Sequence, residues 1–364
     1  MPKRQRTQKD ALGERPDSRS IYLSTEVISL ACRYLSLGNP PARIPGLLEQ
    51  QHNISITREQ IWRLITYAFR NGWLKYSPPL EQDLGERLIT HFPALQHARV
   101  VVTRTMEAVA DEGARHLIRL MRQHAAGTQG KRPYHLGFAG GAMLRRVARS
   151  LSEQILRDPS ALPESIVFHA IVSGFNMLDP TNNPDSYFSF FSDPQALPVN
   201  TSFVGLLAPG IILRSEMKKL KTVKYIAQAL DRVDEVDVFV TSAGHWRGND
   251  SGLCRMYWDN SRPSYHQLKK AGTIGDMMWR PFSAAGPVTL ETSIRAMTLL
   301  ELTDLPQRIE QGRRVLLIAG PCMQCKGPRN DILEAILNQK QQYVTDLVAD
   351  HRTASLLFHK PAEQ

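Results

Sequence analysis

Hydrophobic positions follow two different spacings along this chain of 364 residues, and the change falls near residue 80. Before it, apolar side chains recur at helical intervals from Val27 to Leu35 and again from Ile61 to Phe69. After it, short apolar runs enter glycine-bearing loops and alternate with amphipathic segments. The first pattern indicates helices, and the second is typical of a parallel sheet covered by helices on both faces. We therefore predict a small helical head, residues 21–79, and a larger α/β body, residues 99–360.

Helical spacing in the head indicates three helices, of which the last is the most clearly delimited. Thr57, with Gln60 three residues later, fits a capping box that satisfies free backbone N–H groups at the start of a helix. A turn at 52–55 comes before this helix, Asn71-Gly72 ends it, and residues 73–76 have the pattern of a wing strand. This order predicts a winged helix-turn-helix, with a three-helix bundle for dimerisation or docking as the alternative.

The third predicted helix is amphipathic, and its polar face carries side chains that can bind base edges and phosphates. The candidate DNA-contacting residues are Arg58, Gln60, Arg63, Thr66, Tyr67 and Arg70. Its apolar face includes Phe69, and Trp62 at the edge of that face is expected to pack against the core. Residues 1–20 are basic and lack apolar periodicity, so we expect a disordered arm. Such an arm either follows DNA phosphates or has no role.

In the body, residues 80–98 are predicted to form a linker helix that could pair two subunits. Four of the strands that follow end in loops containing Gly140, Gly174, Gly244 and Gly320. Since ligands of open parallel sheets bind at the carboxyl ends of the strands, these loops are expected to meet at one edge. Gly140-Gly141-Ala142 is the candidate phosphate cradle, because glycine lets backbone amides approach an anion at a helix start. A tight turn without a ligand is the alternative.

The composition is that of a globular protein, with 42% hydrophobic and 22% charged residues, and we expect it in the cytoplasm. No run approaches the ~18–20 apolar residues that span a bilayer, and the basic start lacks the apolar core of a signal peptide. We therefore expect no membrane association. The net charge of +10 favours an anionic partner, either nucleic acid or a phosphate-bearing ligand.

Four cysteines in a chain of this length do not make a disulfide framework. Cys322 and Cys325 form a Cys-x-x-Cys pair. A four-sulfur metal site needs a second pair, and Cys32 and Cys254 are isolated in sequence. Lys326 follows the pair directly, so contact with a ligand is the preferred role of this loop, with oxidation of the two thiols as the alternative. We predict neither a metal site nor a cofactor.

From about Thr25 to Phe358, the order and spacing of motifs resemble the SorC family of sugar-binding transcriptional regulators. The stretches that carry the resemblance are His91–Leu95, Ala98–Val102, Gly137–Met143, Ala271–Asp276, Ile318–Gly320 with Lys326, and Val344–Asp346 before Thr353-Ala354. The resemblance implies a winged helix-turn-helix, a Rossmann-like effector domain related to sugar-phosphate isomerases, and a homodimer or homotetramer. It also implies two ligands, a double-stranded DNA operator and a phosphorylated sugar or related effector.

The resemblance further implies an effector site. Its phosphate turn falls on Gly140, Gly141, Ala142 and Met143, and the rest of the pocket draws on Ser173, Gly174, Gly244, His245, Gly275, Asp276 and Lys326. Family members tend to place hydroxyl residues in the turn, whereas Ala142 and Met143 offer only backbone. Residues 176–200 are longer and more aromatic than the family's corresponding loop, which predicts a lid, an interface cover or a structural plug.

The loop around His245 is similar to that of hexosamine-phosphate deaminases, which carry Asp-Gly-His there. In this chain Ala243 stands at the position of the aspartate, so the carboxylate that proton transfer requires is missing. Asp250 lies too far along the loop to replace it. The predicted function is therefore a DNA-binding transcriptional regulator controlled by a phosphorylated sugar, and not an enzyme. A sugar-phosphate isomerase-like or deaminase-like enzyme is the alternative.

Overall fold

The computed structural model describes residues 24–74, 77–174, 180–192, 197–246, 252–322 and 327–358. The chain divides into two compact units, with the boundary after Ser77. The described part of the first unit is helical, and the second contains every strand of the described chain. The predicted basic arm, 1–20, lies outside the described residues.

The head unit consists of helices α1 (Thr25–Ser36), α2 (Ile44–His52) and α3 (Arg58–Arg70). Their shared core is built from Val27, Ile28, Ala31, Tyr34, Ile44, Leu48, Ile61, Leu64, Ile65 and Ala68. The capping box of α3 is confirmed: Gln60 N donates to Thr57 Oγ1 at 3.2 Å, and Thr57 N donates to Gln60 Oε1 at 2.7 Å. This reciprocal cap fixes the start of the helix, because both side chains satisfy N–H groups that the helix itself leaves free.

The predicted wing follows α3. Trp73 and Leu74 lie in a turn, in which both of their amides donate to the Ala68 carbonyl oxygen, at 2.8 and 3.2 Å. Residues 75–76 lie outside the described part of the chain, so the wing strand stays a prediction. The described part of the head therefore contains the three helices and the turn that ends the third.

A seven-stranded sheet forms the centre of the body, and all its neighbouring strands are parallel. In chain order the strands of the body are β1 (His97–Val101), β2 (Tyr134–Phe138), β3 (Ser165–Ala170), β4 (Asn200–Val204), β5 (Ile211–Leu213), β6 (Val238–Thr241), β7 (Ala243–His245), β8 (Thr273–Met277), β9 (Arg280–Ser283), β10 (Gly286–Pro287), β11 (Ile294–Ala296), β12 (Arg314–Ala319) and β13 (Asp346–Asp350). The large sheet has the order β1-β13-β12-β6-β2-β3-β4. Every residue of β2 and β13 is buried, so both faces of the sheet are covered. The predicted α/β class with a parallel sheet is confirmed.

The helices of the body are α4 (Gln82–His91), α5 (Met106–Thr128), α6 (Ala142–Arg157), α7 (Pro184–Tyr187), α8 (Arg214–Lys221), α9 (Lys224–Asp231), α10 (Gly252–Asn260), α11 (Arg262–Lys270), α12 (Leu305–Glu310), α13 (Asn330–Leu337) and α14 (His351–Leu356). Helices α5 and α6 pack against each other and against the sheet. Gly113 lets α5 lie close to β12, because a Cβ at this position would stand 2.7 Å from Ile318 Cδ1. No helix in the described part of the chain is both long and apolar enough to cross a membrane.

The segment predicted as a linker helix, 80–98, contributes to the body itself. Helix α4 is shorter than that segment, with 10 residues, and its Leu84 and Leu88 side chains join the body core. Gly85 lets α4 approach β1 closely, since a Cβ there would lie 2.9 Å from the Ala98 carbonyl oxygen. Of the apolar side chains that suggested a linker helix, Leu84 and Leu88 are buried in the body core, and Leu80 and Ile89 pack partly buried against it.

The body also contains an antiparallel sheet, of order β10-β9-β8-β7, which the hydrophobic pattern does not predict. Strands β8 and β9 are joined by Met278 and Trp279, whose φ angles of 50° and 59° lie in the left-handed region. Neither residue is glycine or asparagine, so each adopts a conformation that costs about 1–2 kcal/mol. Strand β7 pairs with β8, which puts Gly244 opposite Asp276. Two of the predicted effector-site segments are thereby brought together.

Candidate functional sites

The outer face of α3 carries the candidate DNA contacts. The helix buries Ile61, Leu64 and Ala68, which turns the opposite side to solvent. Of the predicted contacts, Arg58, Arg63, Thr66 and Arg70 are exposed. Tyr67 packs partly against the head core, and the Gln60 amide oxygen is used in the helix cap. The three exposed arginines are therefore the best placed of the predicted residues to reach phosphates and base edges.

An exposed ion pair orients Arg63 on this face. Its Nη2 lies 2.7 Å from Oε1 of Glu59, one turn earlier in α3, and both side chains are mostly exposed. An exposed pair at this spacing contributes only about 0.3–0.5 kcal/mol. A DNA phosphate can therefore replace the Glu59 carboxylate at little cost in stability.

Two aromatic side chains flank the basic face, and the prediction that both pack in the core is wrong. Trp62 is 51% exposed and Phe69 is 48% exposed. They are separated by two helical turns and therefore share one side of α3. Trp62 is rotated by about 100° from its neighbour Ile61, which places it beside the buried stripe. This aromatic flank, Trp62 and Phe69, offers apolar surface of the kind that contacts thymine methyl groups.

The predicted phosphate turn follows β2 and begins α6. Gly141 is the N-terminal cap of this helix and has a φ of 126°, which strongly favours glycine. Within the described part of the chain, the amides of Gly140, Ala142 and Met143 have no hydrogen-bond partner. The Met143 side chain is 2% exposed, so this residue offers its amide alone. Free amides at the start of a 16-residue helix can receive an anion, and the helix dipole favours one.

Tyr187 supplies the hydroxyl group that the turn itself lacks. Its side chain is 1% exposed, and its hydroxyl lies 2.9 Å from Gly141 N, 2.8 Å from Gly141 O and 2.7 Å from Asn182 O. The fully buried Phe191 stacks on Phe168, with ring centroids 4.1 Å apart, and anchors the same segment. Of the three roles predicted for residues 176–200, these contacts of the described part favour a structural plug.

Removal of the Tyr187 hydroxyl is expected to destabilise the body. Tyr187→Phe should lower the free energy of unfolding by about 1–2 kcal/mol, because buried main-chain groups of the turn lose a partner. Tyr225→Phe is the matched control, since Tyr225 is 53% exposed, and its effect should stay within about 0.5 kcal/mol. Chemical denaturation followed by circular dichroism measures both changes. Equal effects of the two substitutions would contradict a specific role for Tyr187.

Trp279 contacts the turn with its side chain and Asp276 with its backbone. A Cβ placed on Gly140 would stand 3.1 Å from Trp279 Nε1, so the indole edge reaches the turn. The Trp279 backbone N–H donates to the Asp276 carboxylate. Burial raises the pKa of Asp276 to about 7, although the neighbouring Arg329 guanidinium favours the ionised form. The Asp276 carboxyl group therefore changes its charge near neutral pH.

Arg329 brings a positive charge to this site, and the sequence analysis did not select it. Its Nη1 donates to the Ala243 carbonyl oxygen, and its buried Nε has no partner within the described residues. An unpartnered buried N–H group costs about 1–3 kcal/mol, which a ligand acceptor would recover. Pro328, the residue before Arg329, is hydrogen-bonded to His245, whose Nε2 lies 3.0 Å from the Pro328 carbonyl oxygen. Lys326, the cation predicted from the sequence, lies outside the described residues.

The remaining predicted effector residues have mainly structural contacts in the described chain. Ser173 is 1% exposed, and its hydroxyl donates to a main-chain carbonyl at 3.1 Å. A Cβ on Gly244 would stand 2.4 Å from Asp276 Oδ1, and one on Gly275 would stand 2.3 Å from the Gly244 carbonyl oxygen. Gly174 lies beside the segment 176–200, since a Cβ placed on it would stand 3.6 Å from Nδ2 of Asn183. Gly244 thus leaves room for the Asp276 side chain, and Gly275 lets β8 pack closely against the backbone of β7.

The surroundings of His245 suit binding better than proton transfer. The imidazole is 6% exposed, and its Nε2 is hydrogen-bonded to a main-chain carbonyl oxygen. Ala243 provides no carboxylate in the same strand, and Asp250 lies outside the described residues. The described contact of His245 thus ties β7 to the segment that carries Arg329.

The head thus presents an exposed basic helix, and the body presents free amides at the carboxyl edge of a parallel sheet. No protein-family model and no curated protein sequence matches the chain. Among solved structures, the full-length sorbitol operon regulator SorC from Klebsiella pneumoniae is 18% identical, with a TM-score of 0.56. That match covers 92% of this chain and 100% of the Klebsiella chain.

Two further solved structures match about three quarters of the chain. A DeoR family transcriptional regulator from Listeria monocytogenes is 19% identical, with a TM-score of 0.55, and the match covers 76% of this chain and 98% of that one. A transcriptional regulator from Streptococcus pneumoniae is 14% identical, with a TM-score of 0.56, and the match covers 76% of this chain and 95% of that one. At these identities the likeness establishes a shared fold. The predicted resemblance to SorC regulators is confirmed at that level.

Proposed function

We propose that this protein is a DNA-binding transcriptional regulator whose operator affinity is controlled by a phosphorylated sugar or a related anionic metabolite. The observation that carries the proposal is the pairing of two features in separate units. The head presents a capped helix with Arg58, Arg63 and Arg70 exposed, and the body presents free amides at the start of α6. The first feature suits DNA and the second suits a small anion.

DNA binding would use the outer face of α3. Its arginines contact phosphates or base edges, and the aromatic flank adds apolar contacts in the groove. In a homodimer or homotetramer formed through the bodies, two heads would bind the two half-sites of the operator. Each neutralised phosphate releases a counterion, so the affinity should fall steeply as the salt concentration rises.

Effector binding would use the carboxyl edge of the large sheet. The amides of Gly140, Ala142 and Met143 bind the phosphate, and Arg329 and Asp276 bind hydroxyl groups. The effector changes DNA binding only if it binds the two states of the oligomer with different affinity. The absence of a carboxylate beside His245 within β7 argues against a deaminase-like enzyme.

Selection of bound fragments from sheared host DNA tests the proposal. The full-length protein is incubated with the DNA at about 150 mM salt, where non-specific binding is weak. The incubation is done with and without a panel of phosphorylated sugars. We expect enrichment of one or a few sites, and loss or gain of that enrichment with one sugar. Absence of enrichment under all conditions, with folded protein, would contradict the DNA-binding role.

A further inference from the structure

Three metal-ligating side chains meet on the large sheet, outside both sites described above. His135 lies in β2, His169 lies in the neighbouring strand β3, and Glu235 comes just before β6. Strand β2 pairs with both β3 and β6, which is why residues far apart in sequence meet here. The hypothesis of a DNA-binding regulator uses none of these three side chains.

The spacing of the three ligand atoms is close to that of a zinc site. Nδ1 of His135 lies 2.9 Å from Nε2 of His169 and 3.4 Å from Oε2 of Glu235. One ligand atom from each residue lies within 4.8 Å of the other two. Around a tetrahedral zinc ion with bonds of about 2.0–2.1 Å, neighbouring ligand atoms are roughly 3.3–3.4 Å apart. Small side-chain movements would therefore suffice to hold the ion.

Packing alone leaves the burial of His169 unexplained. This residue is 0% exposed in an otherwise apolar stretch of β3, and its Nδ1 has no hydrogen-bond partner within the described residues. A buried imidazole is favoured in its neutral form, which is the form that binds metal ions. Nε2 is hydrogen-bonded to Nδ1 of His135 at 2.9 Å, and an ion coordinated by both nitrogens would replace this one hydrogen bond with two bonds to the metal.

Glu235 gives the cluster an opening to solvent. Its side chain is 42% exposed, whereas that of His135 is 11% exposed. Arg232 orients the carboxylate, with Nη2 2.7 Å from Oε2 and Nε 3.1 Å from Oε1. Partners of this kind commonly orient metal-ligating carboxylates. The positive charge of Arg232 opposes a cation, so we expect affinity in the micromolar range.

We infer that His135, His169 and Glu235 form a zinc-binding site, with two imidazoles, one carboxylate and an open position for water. The bound ion would join the segment before β6 to β2 and β3. Because each ligand comes from a different element, occupancy stabilises the folded body without any contact to DNA or effector.

Cobalt titration of the full-length protein tests this site. Protein without an affinity tag is treated with a chelator and titrated with Co²⁺, which absorbs visible light when coordinated tetrahedrally. We expect one ion per chain, displacement of the cobalt by Zn²⁺, and a rise in Tm of about 5 °C at a zinc concentration of 100 times Kd. A wild-type protein that shows no absorption at saturating cobalt and no rise in Tm with zinc would overturn the inference.

Two ligand variants and one control locate the ion. Glu235→Gln should weaken binding at least tenfold and leave the fold intact, because the side chain is 42% exposed. His135→Gln should abolish the absorption. His97→Gln is the control, because His97, His116 and Asp346 form another cluster of metal-ligating groups in the described chain. Binding that survives both ligand variants, or that is lost in the control, would overturn the assignment.

Discussion

Arg63→Ala is expected to weaken operator binding by about 10- to 100-fold, because an arginine that contacts a base is worth about 1–3 kcal/mol. The side chain lies on the exposed face of α3, and its ion pair with Glu59 is exposed and weak. Fluorescence anisotropy with a selected DNA fragment, repeated at several salt concentrations, measures the change. If Arg63 contacts a phosphate instead, the slope of log affinity against log salt should fall by about one.

Arg33→Ala provides the matched control for this substitution. Arg33 is an exposed residue of α1 in the same unit, so its removal changes the net charge of the head equally. We expect Arg33→Ala to change operator affinity little. Neither Arg33→Ala nor Arg63→Ala should change the binding of a sugar phosphate. Equal weakening by Arg33→Ala and Arg63→Ala would show that charge alone matters, and the assignment of α3 as the DNA-contacting helix would fail.

Asp276→Asn is expected to weaken effector binding and to flatten its pH dependence. Burial raises the pKa of Asp276 to about 7, so the ionised fraction rises from roughly one tenth at pH 6 to nine tenths at pH 8. An effector hydroxyl that donates to the carboxylate should therefore bind the parent protein about tenfold more tightly at pH 8. At that pH the variant should bind about 10- to 100-fold more weakly, because it lacks a charge-assisted hydrogen bond. Calorimetric titration at both pH values measures these affinities.

Asp259→Asn serves as the control for this experiment, since Asp259 is 55% exposed on α10. The effector phosphate also ionises near pH 6, but this contribution is the same for every variant and cancels in the comparison. Retention of the tenfold pH dependence by Asp276→Asn would remove Asp276 from the effector site.

The raised pKa of Asp276 also has a consequence for the stability of the free protein. The unperturbed carboxyl group has a pKa of 3.8, and the folded one has a pKa of about 7. The protonated Asp276 carboxyl group therefore contributes its full stabilisation to the folded state below pH 3.8. This contribution decreases as the pH rises and is lost once the pH has passed 7. Asp276→Asn should therefore gain stability, relative to the parent protein, between pH 5 and pH 8. Thermal unfolding of both proteins at pH 5 and pH 8 measures this relative gain without any effector.

The three helices of the head and the parallel sheet of the body were predictable from the sequence, whereas the antiparallel sheet and the shorter extent of α4 were not. The capping box at Thr57, the glycine turn after β2 and the apolar runs of the parallel sheet all act over a few residues. Where prediction failed locally, the reason is geometric. Trp62 is rotated by about 100° around α3 from its buried neighbour Ile61, which a list of apolar positions does not reveal.

The residues of the proposed effector site were predictable only in part. The turn at Gly140 followed from the glycine pattern and Asp276 from the resemblance to SorC regulators, whereas neither pointed to Trp279 or Arg329. Trp279 reaches the turn because two consecutive residues adopt positive φ angles without glycine, and nothing in the local pattern signals that conformation. The Tyr187 hydroxyl is hydrogen-bonded to Gly141, which lies 46 residues away in sequence, so no local pattern indicates this contact.

By itself, the sequence determined the helices, the parallel sheet and the division into a basic head and an α/β body, because hydrophobic periodicity and capping depend on near neighbours. Only the tertiary structure decided which polar groups meet. The pairing of β2 with β3 brings His135 to His169, and the pairing of β7 with β8 brings Gly244 to Asp276. Such contacts depend on strand order and register across the whole body, which residues close in sequence do not specify.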